Sequence, residues 1–211
     1  MNIVDLSHKI HNEIPVFSES ESPQITTVST HEEEGYAQKK LILFSHNSTH
    51  VDAPYHILQD MPSLDQLPLE SFYGPGLVAD CRNCGTFIQT EDLVHYENKL
   101  IQAEFLLLMT GWSKKWNSHG YKTGFPALST EAAEWLMQFR LKGIGLDAIS
   151  IDKIESTELP VHHIVLGNKL IIIENLANLE ALLNKDFIFS CFPLSLEKSD
   201  GSPVRAVGII A

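Results

Sequence analysis

Apolar residues recur along the chain with two different periods, and the switches between them mark the elements. Residues 3–6 (IVDL) and 25–29 (ITTVS) predict short strands. Residues 38–45 (QKKLILFS) predict a longer one, with Leu41 and Leu43 opposite Ile42 and Phe44. PGLVADC (75–81) reads as a further strand. FLLLMTGW (105–112) is apolar up to Gly111, the pattern of a strand buried on both faces. IGLDAISID (144–152) and KLIIIENL (169–176) read the same way. Helical spacing is clearest at 128–143, where Ala132, Trp135, Leu136 and Phe139 form a stripe, Ser129 can cap and Gly143 can stop the helix. Residues 90–100 and 176–184 predict shorter helices, and Pro62 and Pro68 punctuate a loop. FIFSCFPLSL (187–196), a turn at KSDGSP and VRAVGII (204–210) predict a closing hairpin. Strands dominate without regular alternation with helices. The expected fold class is therefore α+β, in a single domain over 1–211 and not a plain doubly wound sheet.

Composition narrows the partners. Hydrophobic residues make up 44% and charged residues 20%, which fits a globular chain with a full core. The formal net charge of −12, without a basic cluster, would repel a phosphate backbone and argues against nucleic acid. No apolar run reaches the roughly 18 residues of a membrane span, so no membrane partner is expected. Three cysteines are too few for a disulfide framework and suggest a reducing, cytoplasmic setting. Cys81 and Cys84 form C-x-x-C, but no second pair follows and no clear helix opens there.

The densest chemistry lies in SHNSTHVDAPYH (45–56), which holds His46, His50, Asp52 and His56. A strand would separate His46 from His50 by roughly 13 Å, too far for one ion. A helix would bring those two together but turn Asp52 away. Pro54 also biases Ala53 toward extended backbone. One shared ion therefore requires a turn near 46–50 and a different backbone after it. Two histidines and a carboxylate suit zinc, manganese or iron and leave a coordination position for water. Downstream, His162 precedes by twelve residues Glu174, a carboxylate inside the apolar run Ile171–Leu176. Buried there without a partner it would be costly, so it calls for a cation or a hydrogen-bond donor. Asp147 and Asp152 flank Ser150 and read as loop-ordering acceptors. Trp112 and Trp116 read as packing residues.

HNSTHVDAPYH resembles the H-x-G-T-H-x-D-x-P-x-H signature of the cyclase-type metal-dependent hydrolases, a family that includes bacterial kynurenine formamidase and isatin hydrolase. IVDLSHKI, LLLMTGW, GIGLDAISID, HHIVLGNKLIIIENL and DGSPVRAVGII extend the resemblance over most of the chain. It implies a swivelling β/β/α arrangement with a mixed β-barrel-like core and outer helices, assembled as a homodimer or homotetramer. It also implies one or two divalent ions per chain, zinc first, with manganese or iron as alternatives. His46, His50 and Asp52 would hold the first ion, and Asp52 with His162 and Glu174 the second. His163 adjoins His162 and could substitute for it. His56 would match the proton-transfer residue and Phe17 an aromatic lying against the substrate. The implied activity is hydrolysis of a small-molecule amide, an arylformamide or lactam, with lactone or ester hydrolysis and metal binding without turnover as the competing readings. Two departures stand out. Ser48 occupies the usual glycine position, and PVFSESES lacks the Pro-Gly-Asp that follows the aromatic in formamidases.

Overall fold

The computed structural model describes residues 1–210. Its first strands are β1 (Asn2–Asp5), β2 (Gln24–Ser29), β3 (Gln38–Ile42) and β4 (His50–Asp52). Next come β5 (Tyr73–Asp80), β6 (Phe87–Ile88), β7 (Phe105–Met109), β8 (Ala127–Leu128) and β9 (Gly143–Leu146). The last four are β10 (Ile171–Glu174), β11 (Phe187–Ser190), β12 (Gly201–Pro203) and β13 (Val207–Ile210). Nine of them form one mixed sheet in the order β1-β13-β11-β5-β7-β9-β10-β4-β12. The middle, β5 to β10, is parallel, and every other pairing is antiparallel. The fold is thus α+β, a mixed sheet with its parallel strands at the centre.

β7 is buried along its whole length, as its unbroken apolar run predicts. Leu106 and Leu108 face one apolar cluster, while Phe105, Leu107 and Met109 face another on the opposite side of the sheet. The first cluster lies under four helices: α1 (Thr90–Leu93), α2 (Glu97–Leu100), α3 (Thr130–Leu136) and α4 (Pro160–Gly167). The second is closed by the outer strands, through Leu6, Val51 and Phe189.

Several elements depart from the periodicity, each for a physical reason. The helix expected over 128–143 ends at Leu136, although Ser129 caps it, its hydroxyl accepting from the Ala132 amide at 3.1 Å. Gly143 does not stop that helix but opens β9. A side chain there would meet Ile171 Cγ1 at 2.8 Å, so close strand packing demands glycine. The helix expected over 90–100 is two single turns, α1 and α2, joined by a 3-10 turn. Residues 176–184 contain one 3-10 turn, Leu179–Leu182. β11 and β13 pair as expected, yet the connection between them holds β12, which turns back to pair with β4. β2 and β3 form a separate hairpin whose second strand is exposed throughout.

Candidate metal centre

The backbone takes three conformations within twelve residues. Residues 45–49 turn, His50–Asp52 form β4, and a 3-10 turn follows over Pro54–His56. The strand register then assembles the site. On β4, His50 lies opposite Glu174 of β10 on one side and Pro203 of β12 on the other. His50 and Asp52 are two residues apart, so they share a face of the sheet with Glu174. α4 presents His162. Leu159 precedes it with a φ of 45°, and Pro160 opens the helix, where its missing amide costs no hydrogen bond. The Asp152 carboxylate accepts from the Val161 and His162 amides at 3.1 and 2.9 Å, fixing the first turn.

Asp52 is the hub. Its Oδ1 lies 2.7 Å from His46 Nδ1 and 3.3 Å from His50 Nε2. Its Oδ2 lies 3.9 Å from His162 Nε2 and is buried without a hydrogen-bond partner. Glu174 reaches both sides, at 3.5 Å from His50 Nε2 and 3.5 Å from His162 Nε2. Two overlapping trios result, His46–His50–Asp52 and Asp52–His162–Glu174, and in each the donor atoms lie within 4.8 Å of one another.

Each histidine also has its other ring nitrogen held from outside. His46 Nε2 meets Asp200 Oδ2 at 2.8 Å, His50 Nδ1 meets the Ser48 carbonyl at 2.9 Å, and His162 Nδ1 meets Asp152 Oδ2 at 2.7 Å. Outer acceptors of this kind fix the orientation of metal-binding imidazoles and raise their basicity. The free nitrogens converge on Asp52 and Glu174. With an orphaned carboxylate oxygen at the centre, the donor set fits one or two divalent cations.

The charges agree with that reading. Burial opposes protonation of His50, but Asp52 and Glu174 outweigh it and raise its pKa to about 10. His46 is likewise opposed by burial and raised by Asp52 and Asp200, to about 9. Burial would raise Asp52, yet the neighbouring His50 and His46 hold it well below the usual carboxylate range. Without metal, protons on the imidazoles balance the buried carboxylates. A cation would displace them.

His56 sits at the rim. Its ring lies 4.1 Å from that of His46 and 6.1 Å from that of His162. Above the histidines opens a pocket of about 420 Å³ walled by Phe17, Phe44, Ile149 and Leu159. That size falls in the ordinary range for small-molecule sites. Phe17 is half exposed at the mouth. His163 is exposed on α4 and does not join the trio. Trp112 and Trp116 lie away from the pocket and pack: the Trp112 indole donates to the Tyr121 carbonyl at 2.7 Å, and Trp116 stacks on His8. Asp147 accepts from the Thr110 and Gly111 amides at 2.8 and 2.9 Å and orders that loop.

Two residues that sequence reasoning passed over also belong here. Asp200 lies within the segment read as a hairpin turn. Asn175 is buried and ties the centre together: its amide group donates to the Ser48 carbonyl at 2.9 Å, and its Oδ1 accepts from Tyr121 at 2.7 Å. The φ of 57° at Asn175, next to the isoleucine-rich strand, is the one local hint of a special role.

The chain belongs to the cyclase family, whose model ("Cyclase") matches residues 4–153. Among curated proteins it is 33% identical over 168 residues to the kynurenine formamidase of Bordetella avium, covering 80% of this chain and 78% of that protein. It is 30% identical over 210 residues to the kynurenine formamidase of Bacillus anthracis, with coverage of 97% and 95%. Among solved structures, isatin hydrolase A from Labrenzia aggregata superposes with a TM-score of 0.89 at 24% identity, covering 99% of this chain and 93% of that one.

Proposed function

We propose that the protein is a metal-dependent hydrolase of a small-molecule amide, an arylformamide or a lactam, with zinc as its first-choice ion and manganese or iron as alternatives. The observation that carries this reading is the convergence of three outward-tethered imidazoles on the Asp52 carboxylate, His46 and His50 at Oδ1 and His162 toward Oδ2, which is buried without a hydrogen-bond partner. The kynurenine formamidases among its relatives support the amide substrate. His46, His50 and Asp52 would hold one ion, and Asp52, His162 and Glu174 a second. A bound divalent ion supplies Lewis acidity and a water of lowered pKa. His56, at the rim, would take the proton of the attacking water and return it to the leaving nitrogen as the C–N bond breaks. Phe17 and Phe44 would pack against an aromatic substrate and exclude bulk water. Three free cysteines support a cytoplasmic setting. The exposed Leu41, Ile42 and Phe44 beside the β2–β3 hairpin support a homodimer or homotetramer.

The test joins elemental analysis to turnover. Wild-type protein reconstituted with zinc, manganese or iron is screened against formanilides, isatin-like lactams, lactones and simple esters. Amide or lactam hydrolysis with at least one ion per chain is expected. His56→Ala should keep its metal and lose about 10²–10⁴ in kcat. His50→Ala should lose the metal. A His50→Ala protein that still carries stoichiometric ion would sink the ligand assignment.

A further inference from the structure

Asp200 stands at the start of β12, where its backbone carbonyl accepts from the Ala53 amide at 2.8 Å. That bond sets the carboxylate over the histidines of a segment far away in sequence. One oxygen, Oδ2, meets two rings at once: His46 Nε2 at 2.8 Å and His56 Nδ1 at 3.4 Å. The following residue leaves no slack. A Cβ on Gly201 would lie 2.7 Å from His46 Cε1 and 3.0 Å from the Val51 carbonyl, so only glycine lets β12 carry Asp200 this close.

We propose that Asp200 is the positioning residue that couples metal binding to proton transfer, holding His46 by Nε2 so that Nδ1 faces the ion, and His56 by Nδ1 so that Nε2 faces the substrate pocket. This inference rests on the hydrolase reading above. The chemistry follows from imidazole itself. A neutral ring carries one N–H and one lone pair, and a carboxylate beside one nitrogen keeps the N–H there. For His46 that leaves the Nδ1 lone pair pointing at the position it shares with Asp52. For His56 it leaves Nε2 free to accept a proton from water and pass it on. Asp152 holds His162 in the same manner but serves one ring only. Asp200 alone touches both a ligand histidine and the histidine at the rim.

The experiment compares wild type with Asp200→Asn, which keeps the shape and one acceptor oxygen, and Asp200→Ala, which removes the contact. Zinc affinity is measured by competition with a chromophoric chelator. Histidine tautomers in the zinc-loaded protein are read from long-range ¹H–¹⁵N spectra. Steady-state kinetics are run at saturating zinc on whichever amide the wild type hydrolyses. Asp200→Ala should bind zinc about 10–100-fold more weakly, the usual loss when an outer partner of a metal histidine goes. At saturating zinc its kcat should fall about tenfold or more with KM little changed, since His56 and not substrate binding is disturbed. Asp200→Asn should lie between it and wild type. The spectra should show His46 and His56 each as a single tautomer in wild type and as mixtures in Asp200→Ala. Wild-type zinc affinity, kcat and tautomers in Asp200→Ala overturn the proposal while the hydrolase reading stands. A wild-type protein that takes up no metal overturns both.

Discussion

Ser48 carries part of the local backbone cost of the centre. Its φ of 61° is a left-handed conformation that side chains other than glycine resist. The conformation persists because both ends of the residue are held. The Ser48 hydroxyl donates to the His8 carbonyl at 3.2 Å, and its own carbonyl accepts from both Asn175 and His50 at 2.9 Å. Hydrogen bonding thus holds a serine in the conformation that a glycine adopts freely. Ser48→Gly should stay within about 1 kcal/mol of wild type and keep its zinc, since relief of strain offsets the lost hydroxyl bond. Ser48→Val should cost about 1–3 kcal/mol in urea unfolding, because a β-branched residue resists positive φ and makes no such bond. Equal stability of the valine protein would show that the loop is not pinned. At this scale the candidate site is legible in the sequence: the proposed ligands His46, His50 and Asp52 crowd one stretch with His56, and Glu174 interrupts an apolar run. Asp200 is not. An Asp before Gly among Ser and Lys has the composition of any turn, and its role depends on a strand pairing that no local pattern encodes.

Elements were read well where burial imposes a period and poorly where tertiary contacts override it. β7, β10 and the β11–β13 pair follow their apolar runs. α3 ends at Leu136, short of the stripe that predicts it, and Gly143 opens β9, where only glycine lets the strand pass close to Ile171 and Phe105. β12 is not legible in the sequence because three residues, Gly-Ser-Pro, carry no alternation; it exists as a strand through its pairing with β4. Two substitutions probe this level. Ser129→Ala removes the cap of α3 and should cost about 0.5–2 kcal/mol without changing zinc affinity. Gly201→Ala should do the reverse in kind. The added methyl presses on the His46 ring and the Val51 carbonyl, so zinc affinity should fall measurably more than thermal stability does. If both variants lose stability alone, β12 is merely an edge strand.

At the scale of the whole molecule, the centre ties folding to pH. His46 and His50 have pKa values of about 9 and about 10, above the ordinary 6.5, so the folded state holds their protons more tightly than the unfolded chain. Their contribution to metal-free stability is complete below about pH 6.5 and is lost as pH rises through 9 to 10. His8 acts at the other end. Burial depresses its pKa to about 4, so stability is lost as pH falls from 6.5 toward 4. The urea midpoint of chelator-treated protein should therefore peak near pH 6–7 and decline on both sides, whereas zinc affinity should climb with rising pH as the competing protons leave. A flat midpoint from about pH 7 to 10 would rule out protonated imidazoles in the metal-free centre. Added zinc should raise the midpoint in a concentration-dependent way.

The position of β4 carries a last consequence, for the order of events during synthesis. Both of its neighbours, β10 and β12, come late in the chain, and α4 comes only shortly before them. A ribosome that has just completed the stretch around residue 50 has made three of the donors but none of the walls that aim them. Pairings so distant in sequence form slowly, because loop closure must precede any reward from contact. The growing chain thus presents its histidines as loose side chains with little power to select an ion. Choice of metal falls to the finished protein, and the supply met at that moment, more than the supply during translation, decides which ion the centre keeps.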